Sequence, residues 1–225
     1  MKHALIALTL LLTSSAAFAQ VQLDEVSKKA SQLEADLGKM LDTTPQAAEI
    51  MVQLVDLYHA NGRVFGLIRA GQKFVAAQPQ HKKHRDVMVK LLDGLVIMSR
   101  NKEIIATARQ FLARYPKDSA CGKVEETLAR TLDQENDRRQ SAMAWEAVWR
   151  RDPSGQRDAG ARAVWQYSSL NNNEGFKAAA ALGKEMVEKL PAGEFSTHLG
   201  WEAFHFARRT GDWTGSNAIG LLLLK

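Results

Sequence analysis

His81 and His84, in the run HKKHR, stand three residues apart, a spacing that lets two imidazoles share one helical face and begin a metal site. A metal centre needs further ligands, and Lys82, Lys83 and Arg85 add repulsive charge, so the run reads as a solvated basic loop or helix start. His198 and His205, in HLGWEAFH, lie two helical turns apart and are too distant to chelate one ion; packing or exposure accounts for them. Cys121 opens an apolar helical stretch, where a helix terminus lowers a thiol pKa. No histidine stands near it in sequence, so it reads as a small, inert, partly buried side chain, and as the lone cysteine it excludes an internal disulfide. The tryptophans Trp145, Trp149, Trp165, Trp201 and Trp213 read as packing between helices, with a recognition platform as the alternative. Arg138-Arg139, Arg150-Arg151 and Arg208-Arg209 read as helix ends and solvated faces, with attraction of acidic partners or anionic envelope polymers as the alternative. The chain has no HExxH, G-x-S-x-G, phosphate-binding glycine loop or cysteine-rich metal frame, and WTGSNAIG lacks nucleophile-elbow spacing. No catalytic residue, cofactor or metal ligand is assigned.

The elements that position these residues are marked by prolines. Pro45, Pro79, Pro116, Pro153 and Pro191 are separated by 34, 37, 37 and 38 residues. Apolar pairs precede each: Met40-Leu41, Phe74-Val75, Phe111-Leu112, Val148-Trp149 and Met186-Val187, read as the last turns of helices. Arg114, Arg151 and Lys189 fall two residues before their prolines, where a cation suits the negative end of the helix dipole. Proline cannot extend the helix because it has no N–H to donate. Polar breakers interleave: Asn61-Gly62, Asn101, Asn136-Asp137, Asn171-Asn172-Asn173 and Gly211-Asp212. Each repeat is thus a first helix, a polar turn and a second helix. First helices are expected over 46–60, 83–99, 119–134, 157–170 and 194–209. Second helices are expected over 63–77, 102–114, 138–151, 174–189 and 213–224, with a lone helix near 22–42 before them. The distance from proline to polar turn is 17 residues at Pro45 and then 22, 21, 20 and 20, so the later repeats carry extra length on the side of the first helix. A first helix one turn longer accommodates it; a longer loop after each proline, such as QPQHKKHR, is the rival.

Residues 1–19, MKHALIALTLLLTSSAAFA, have the basic start, apolar run and Ala17-Phe18-Ala19 ending of a secretory signal peptide, with cleavage expected before Gln20. The alternative is retention as an anchor. Lipid attachment at the cleavage site is not indicated, because Gln20 is not a cysteine. Removing Lys2 with this segment leaves 29 cations against 25 anions over 20–225, a net charge of +4 that gives no argument for nucleic acid. A periplasmic or secreted location is expected, with no transmembrane segment after cleavage.

The pattern resembles the tetratricopeptide repeat family, over roughly residues 30–225. In PQAAEIMVQLVDLYHANGRVFGLIRAGQKFVAAQP, Leu54, Tyr58, Gly62 and Pro79 stand at that family's Leu, Tyr, Gly and Pro positions. Leu199-Gly200 is similar to the Leu-Gly pair of the family's first helix, and FLARYPKDSA looks like the variant of exported repeat proteins of the bacterial envelope. The family's small alanine five residues before the proline is replaced by Met40, Phe74, Phe111, Val148 or Met186, and its tryptophan at the start of the first helix is absent. The resemblance implies an all-α, right-handed α-α solenoid of stacked helix-turn-helix pairs over 20–225, about five pairs in all. Such a fold usually offers a groove, lined by first helices, to a peptide or helix of a partner protein. Lys123, Arg130, Arg162, Trp165, Gln166 and Glu202 are the first-helix residues expected to face it.

The reading of function is an exported scaffold that binds another protein or peptide and is not an enzyme. The alternative is the N-terminal helical-repeat module of a longer envelope enzyme. By the proline spacing, the next proline is due near 228 or 229, past Lys225, and the last helix ends in the apolar run Leu221–Leu224. Truncation is the favoured explanation, and docking of this end on a partner or on a second copy is the other.

Overall fold

A computed structural model describes residues 25–191 and 193–224; the signal-peptide reading of 1–19 and the cleavage point before Gln20 lie outside them. All regular structure among the described residues is helical: α1 (25–37), α2 (Pro45–Ala60), α3 (Val64–Ala77), α4 (His84–Ile97), α5 (Asn101–Arg114), α6 (Cys121–Gln134), α7 (Arg138–Arg151), α8 (Arg157–Ser169), α9 (Asn173–Lys189), α10 (Glu194–Arg209) and α11 (Trp213–Leu223). The fold is all-α, an array of helix-turn-helix pairs of the α-α solenoid kind. It divides into two compact units, one ending at Ser99 and one beginning at Arg100. No described helix is long and apolar enough to cross a membrane.

The prolines end the second helices by the expected physics. A proline disfavours the helical region for the residue before it. Gln78, Tyr115, Asp152 and Leu190, each just before a proline, are the C-caps of α3, α5, α7 and α9, with ψ of 52°, 53°, 82° and 148°. The turns after α2, α4, α6, α8 and α10 each contain one residue of positive φ: Gly62, Ser99, Asn136, Asn171 and Gly211. Glycine and asparagine tolerate that geometry. At the second turn the expectation is corrected. Ser99, not Asn101, takes the left-handed conformation, and Asn101 is the first residue of α5. Asp137, Asn172 and Asp212 then cap α7, α9 and α11 by accepting from the N–H groups of Gln140, Gly175 and Gly215.

The first helices are not a turn longer in the later repeats. α2 has 16 residues, whereas α4, α6 and α8 have 14, 14 and 13. The added length is loop: α2 starts at its proline, but α4 and α6 start five residues after theirs. His84 and Cys121 are those starts, and both are buried. His81 packs edge-on against Phe74, with ring centroids 5.3 Å apart, and His84 lies at 6.5 Å from the same ring. The loop therefore folds its histidines onto the core, and the solvated reading of HKKHR holds for Lys82 and Lys83 but not for His84, which is 0% exposed. Cys121 is buried too, and its thiol donates to the Tyr115 carbonyl at 3.0 Å.

In the first unit one core joins α1 through α4: Ala30 and Leu37, then Met51, Leu54, Val55 and Tyr58, with Leu67, Phe74 and Val87. In the second unit each helix packs on the next, from α5 to α11. The leading apolar residue before each later proline is a buried knob: Phe74, Phe111, Val148 and Met186. Met40 and Leu41 depart from that pattern, since α1 ends at residue 37 and both side chains are exposed beyond it. In the terminal run, Leu221 and Leu224 face solvent, while Leu223 packs against the core of Ala180, Ala203, Ala207 and Ile219.

Candidate functional site

α7 lies against both α6 and α8, and Trp145 projects from it toward both neighbours. The indole is buried, at 2% exposure. A buried indole N–H needs an acceptor, and Asp133 supplies it at 2.9 Å. Asp133 sits in the last turn of α6, where the helix dipole disfavours a carboxylate. Neutral donors from α7 and α8 offset this: the Ser141 hydroxyl, the Trp145 N–H, and the Gln166 Nε2 at 2.5 Å. One carboxylate thus ties three consecutive helices together without using a cation.

Two guanidiniums lie over the indole that Asp133 fixes. Arg130 of α6 is 5.6 Å from the ring centroid and Arg162 of α8 is 5.2 Å from it. A guanidinium over an aromatic face is held by the ring quadrupole and leaves its in-plane N–H donors for other acceptors. Arg130 gives two of those donors to Glu126, one turn earlier on α6, at 3.0 and 2.6 Å. Arg162 makes no hydrogen bond or ion pair among the described residues. Trp165 stands one turn after Arg162 and is 64% exposed. Lys123 stands two turns before Arg130 on the exposed side of α6.

The structure thus brings Arg130, Arg162 and Gln166 together around Trp145, with Trp165 and Lys123 on the same helices. Gln166 is corrected in its role: at 7% exposure it faces Asp133 and not solvent. Glu202 is exposed on α10 and touches none of this cluster. The packing role expected of the tryptophans holds for Trp145 and Trp149, whereas Trp165, Trp201 and Trp213 are exposed. Sequence reasoning missed Asp133. Its signal was there: an acidic residue at a helix C-terminus, against the dipole, asks for compensating donors.

Three arginines of α7 are committed to neighbouring carboxylates, whereas Arg157, Arg208 and Arg209 lie over the rings of Phe195, Trp213 and Phe176 with no hydrogen bond or ion pair among the described residues. Arg151 clamps Glu125 with two bonds of 2.8 and 2.6 Å, and Arg139 pairs with Glu174 at 2.7 Å. Arg150 reaches both Glu146 and Glu185 at 2.7 Å, and these two bonds raise its pKa. The Tyr167 hydroxyl donates to Glu146 at 2.6 Å; burial first, and then this bond, push its pKa up. In the first unit the Tyr58 hydroxyl donates to Glu34 at 2.6 Å, and Arg69 binds the same carboxylate. An open cavity of about 600 Å³ beside that network is lined by Tyr58, Arg63, Val64, Phe65, Arg69 and Met98. A second, of about 470 Å³, lies among α9, α10 and α11. Neither contains any of the six residues selected from sequence.

No protein-family model and no curated protein matches the sequence. Solved structures do. The crystal structure of MamA protein aligns with 80% of this chain and 92% of its own, at TM-score 0.47 and 14% identity. PilF of Pseudomonas aeruginosa aligns with 92% of this chain and 89% of its own, at TM-score 0.43 and 17% identity. BtubC (BKLC) of P. vanneervenii aligns with 89% of this chain and 87% of its own, at TM-score 0.39 and 12% identity. At these values the three carry no part of the functional argument.

Proposed function

We propose that the chain is an exported repeat scaffold that binds a segment of another protein through the exposed face of α6 and α8, and that it performs no chemistry of its own. The observation that carries this reading is the pairing of an exposed Trp165 with Arg162, whose donors have no acceptor among the described residues. Large aromatics and arginines anchor partners because they bury much surface and give directed bonds at little entropic cost. Lys123 extends the face at one end. Glu202, on α10, belongs to the next first helix of the array. Export rests on residues 1–19, which the leader pattern assigns as a signal peptide cleaved before Gln20.

A photo-crosslinking residue in place of Trp165, in the full-length protein in cells, tests this directly. The expected result is a discrete crosslinked protein in the envelope fraction that is lost on adding Arg162→Ala. A crosslinker at Met143, on the exposed side of α7, is the control. Crosslinking equal at both positions, or none at residue 165, contradicts the reading. Mass spectrometry of the envelope-fraction protein should give an N-terminus at Gln20; a full-length cytosolic product contradicts export.

A further inference from the structure

We propose that the open cavity of the first unit binds a small amphipathic anion, an aliphatic body ending in one carboxylate. Arg63 holds the carboxylate, and the body lies along Val64, Phe65 and Met98. The site is separate from the α6–α8 face and does not depend on the scaffold reading.

The cavity, of about 600 Å³, has the size usual for a small-molecule site. Its walls come from the end of α2, the turn at Gly62, the first turns of α3 and Met98, the C-cap of α4. Gly66 sets the close approach of α3 to α2, since a Cβ there would lie 2.8 Å from three atoms of the Tyr58 ring. Phe65 lines the cavity and is still 77% exposed, so its ring can close on a bound body at no cost to the core. Two cations and no acid are among the described lining residues. Arg69 is already bound to Glu34. Arg63 makes one hydrogen bond, to the Ser27 hydroxyl at 3.4 Å, and no ion pair or ring contact among the described residues. Arg109, Arg157, Arg162, Arg208 and Arg209 also lack an ion pair among the described residues, but none of them lines either cavity. A recess of about 210 Å³ also includes Tyr58 and Arg63 in its lining and contains the nearby carboxylate of Glu34, which Tyr58 and Arg69 already bind. A single anion beside Arg63 therefore meets an uncommitted guanidinium and no uncommitted acid. The body of the ligand has to be apolar. The Tyr58 hydroxyl is spent on Glu34, and Val64, Phe65, Gly66 and Met98 offer no polar side chain. Peptide amides placed along them would give up water without a side-chain partner in return. An aliphatic carboxylate loses nothing there, and this favours it over the C-terminus of a peptide.

The test titrates the full chain, labelled at its methionine methyl groups, with octanoate, octanamide, octylammonium and acetate. It follows the Met98 resonance, assigned through Met98→Leu. Octanoate is expected to shift Met98 saturably and to bind about tenfold or more tightly than octanamide, because charged partners make the stronger bonds. Octylammonium and acetate should leave Met98 where it is, the first for its charge and the second for want of an apolar body. Arg63→Ala should weaken octanoate by about the same tenfold and leave octanamide unchanged, a split that damage to the fold does not produce. Arg63→Lys should restore octanoate only in part, because an ammonium lacks the planar fork. Phe65→Ala, at an exposed position, should weaken octanoate and octanamide by a similar factor. Equal binding of octanoate and octanamide, or octanoate binding unchanged in Arg63→Ala, overturns the assignment of the anion to Arg63. A short peptide ending in Leu that shifts Met98 at lower concentration than octanoate overturns the choice of ligand. No shift of Met98 with any of these probes overturns the site itself.

Discussion

Glu34 and Asp133 are both carboxylates that tie neighbouring helices together, one in each unit, but they are satisfied differently. Glu34 takes a phenol, Tyr58, and a guanidinium, Arg69, so charge meets charge and the network closes on itself. Asp133 takes a hydroxyl, an indole and an amide, all neutral, and the guanidiniums of its neighbourhood stay on top of the indole. The Tyr167–Glu146–Arg150 network in the second unit follows the closed form of Glu34, whereas Arg157 over Phe195 and Arg208 over Trp213 lie, like Arg162, on a ring without a hydrogen bond or ion pair among the described residues, so the open arrangement recurs within the second unit. The lesson is that a cation satisfied within the fold supports the fold, whereas one held on a ring without an acceptor keeps its donors available.

The comparison breaks most sharply at its two centres. Trp145→Ala removes a buried indole and one donor of Asp133, and should cost about 3–5 kcal/mol in urea unfolding. Glu34→Ala, at a partly exposed network, should cost about 1 kcal/mol. Equal costs would mean that Trp145 is not the shelf of the open site. Gly66→Ala probes the closed site from behind. A Cβ there would sit 2.8 Å from three atoms of the Tyr58 ring, which must move off Glu34. Overpacking of about 1–3 kcal/mol is offset by about 1 kcal/mol of helix propensity, so a net loss of about 1 kcal/mol is expected by thermal unfolding. A smaller effect separates a closed pair by pH. Burial opposes ionisation of Glu185, but bonds from Lys189 and Arg150 outweigh it and hold its carboxyl below the usual 4.5. Its contribution is therefore complete above pH 4.5 and lost as pH falls further, and Glu185→Gln should flatten the stability profile only on that acid side. A flattening near neutrality would contradict the pairing. Last comes Arg162→Ala, which should change stability by less than about 0.5 kcal/mol while weakening binding. A large loss of stability would place Arg162 among the closed networks.

The architecture was legible because proline and positive-φ residues act locally. Pro79, Pro116, Pro153 and Pro191 force the preceding residue out of the helix whatever surrounds it, and the predicted second helices agree with α3, α5, α7, α9 and α11 to within a residue at each end. The lengths of the first helices were not legible. Whether QPQHKKHR is helix or loop depends on His81 and His84 reaching Phe74, a contact between segments that no local pattern encodes. The site was half legible. Arg130, Arg162 and Trp165 declare themselves as polar or aromatic residues on first helices. Gln166 looks equally exposed in sequence, and only the packing of α8 beside α6 turns it inward to Asp133.

The proposal that the α6–α8 face receives a partner is tested most directly by the indole N–H resonances of the five tryptophans during titration with the protein captured by the crosslinker at residue 165. Each peak is assigned by single substitution. The account predicts that Trp165 and Trp145 shift together and saturably, while Trp149, Trp201 and Trp213 hold still. Shifts confined to Trp201 and Trp213, or no change at Trp165, would contradict it.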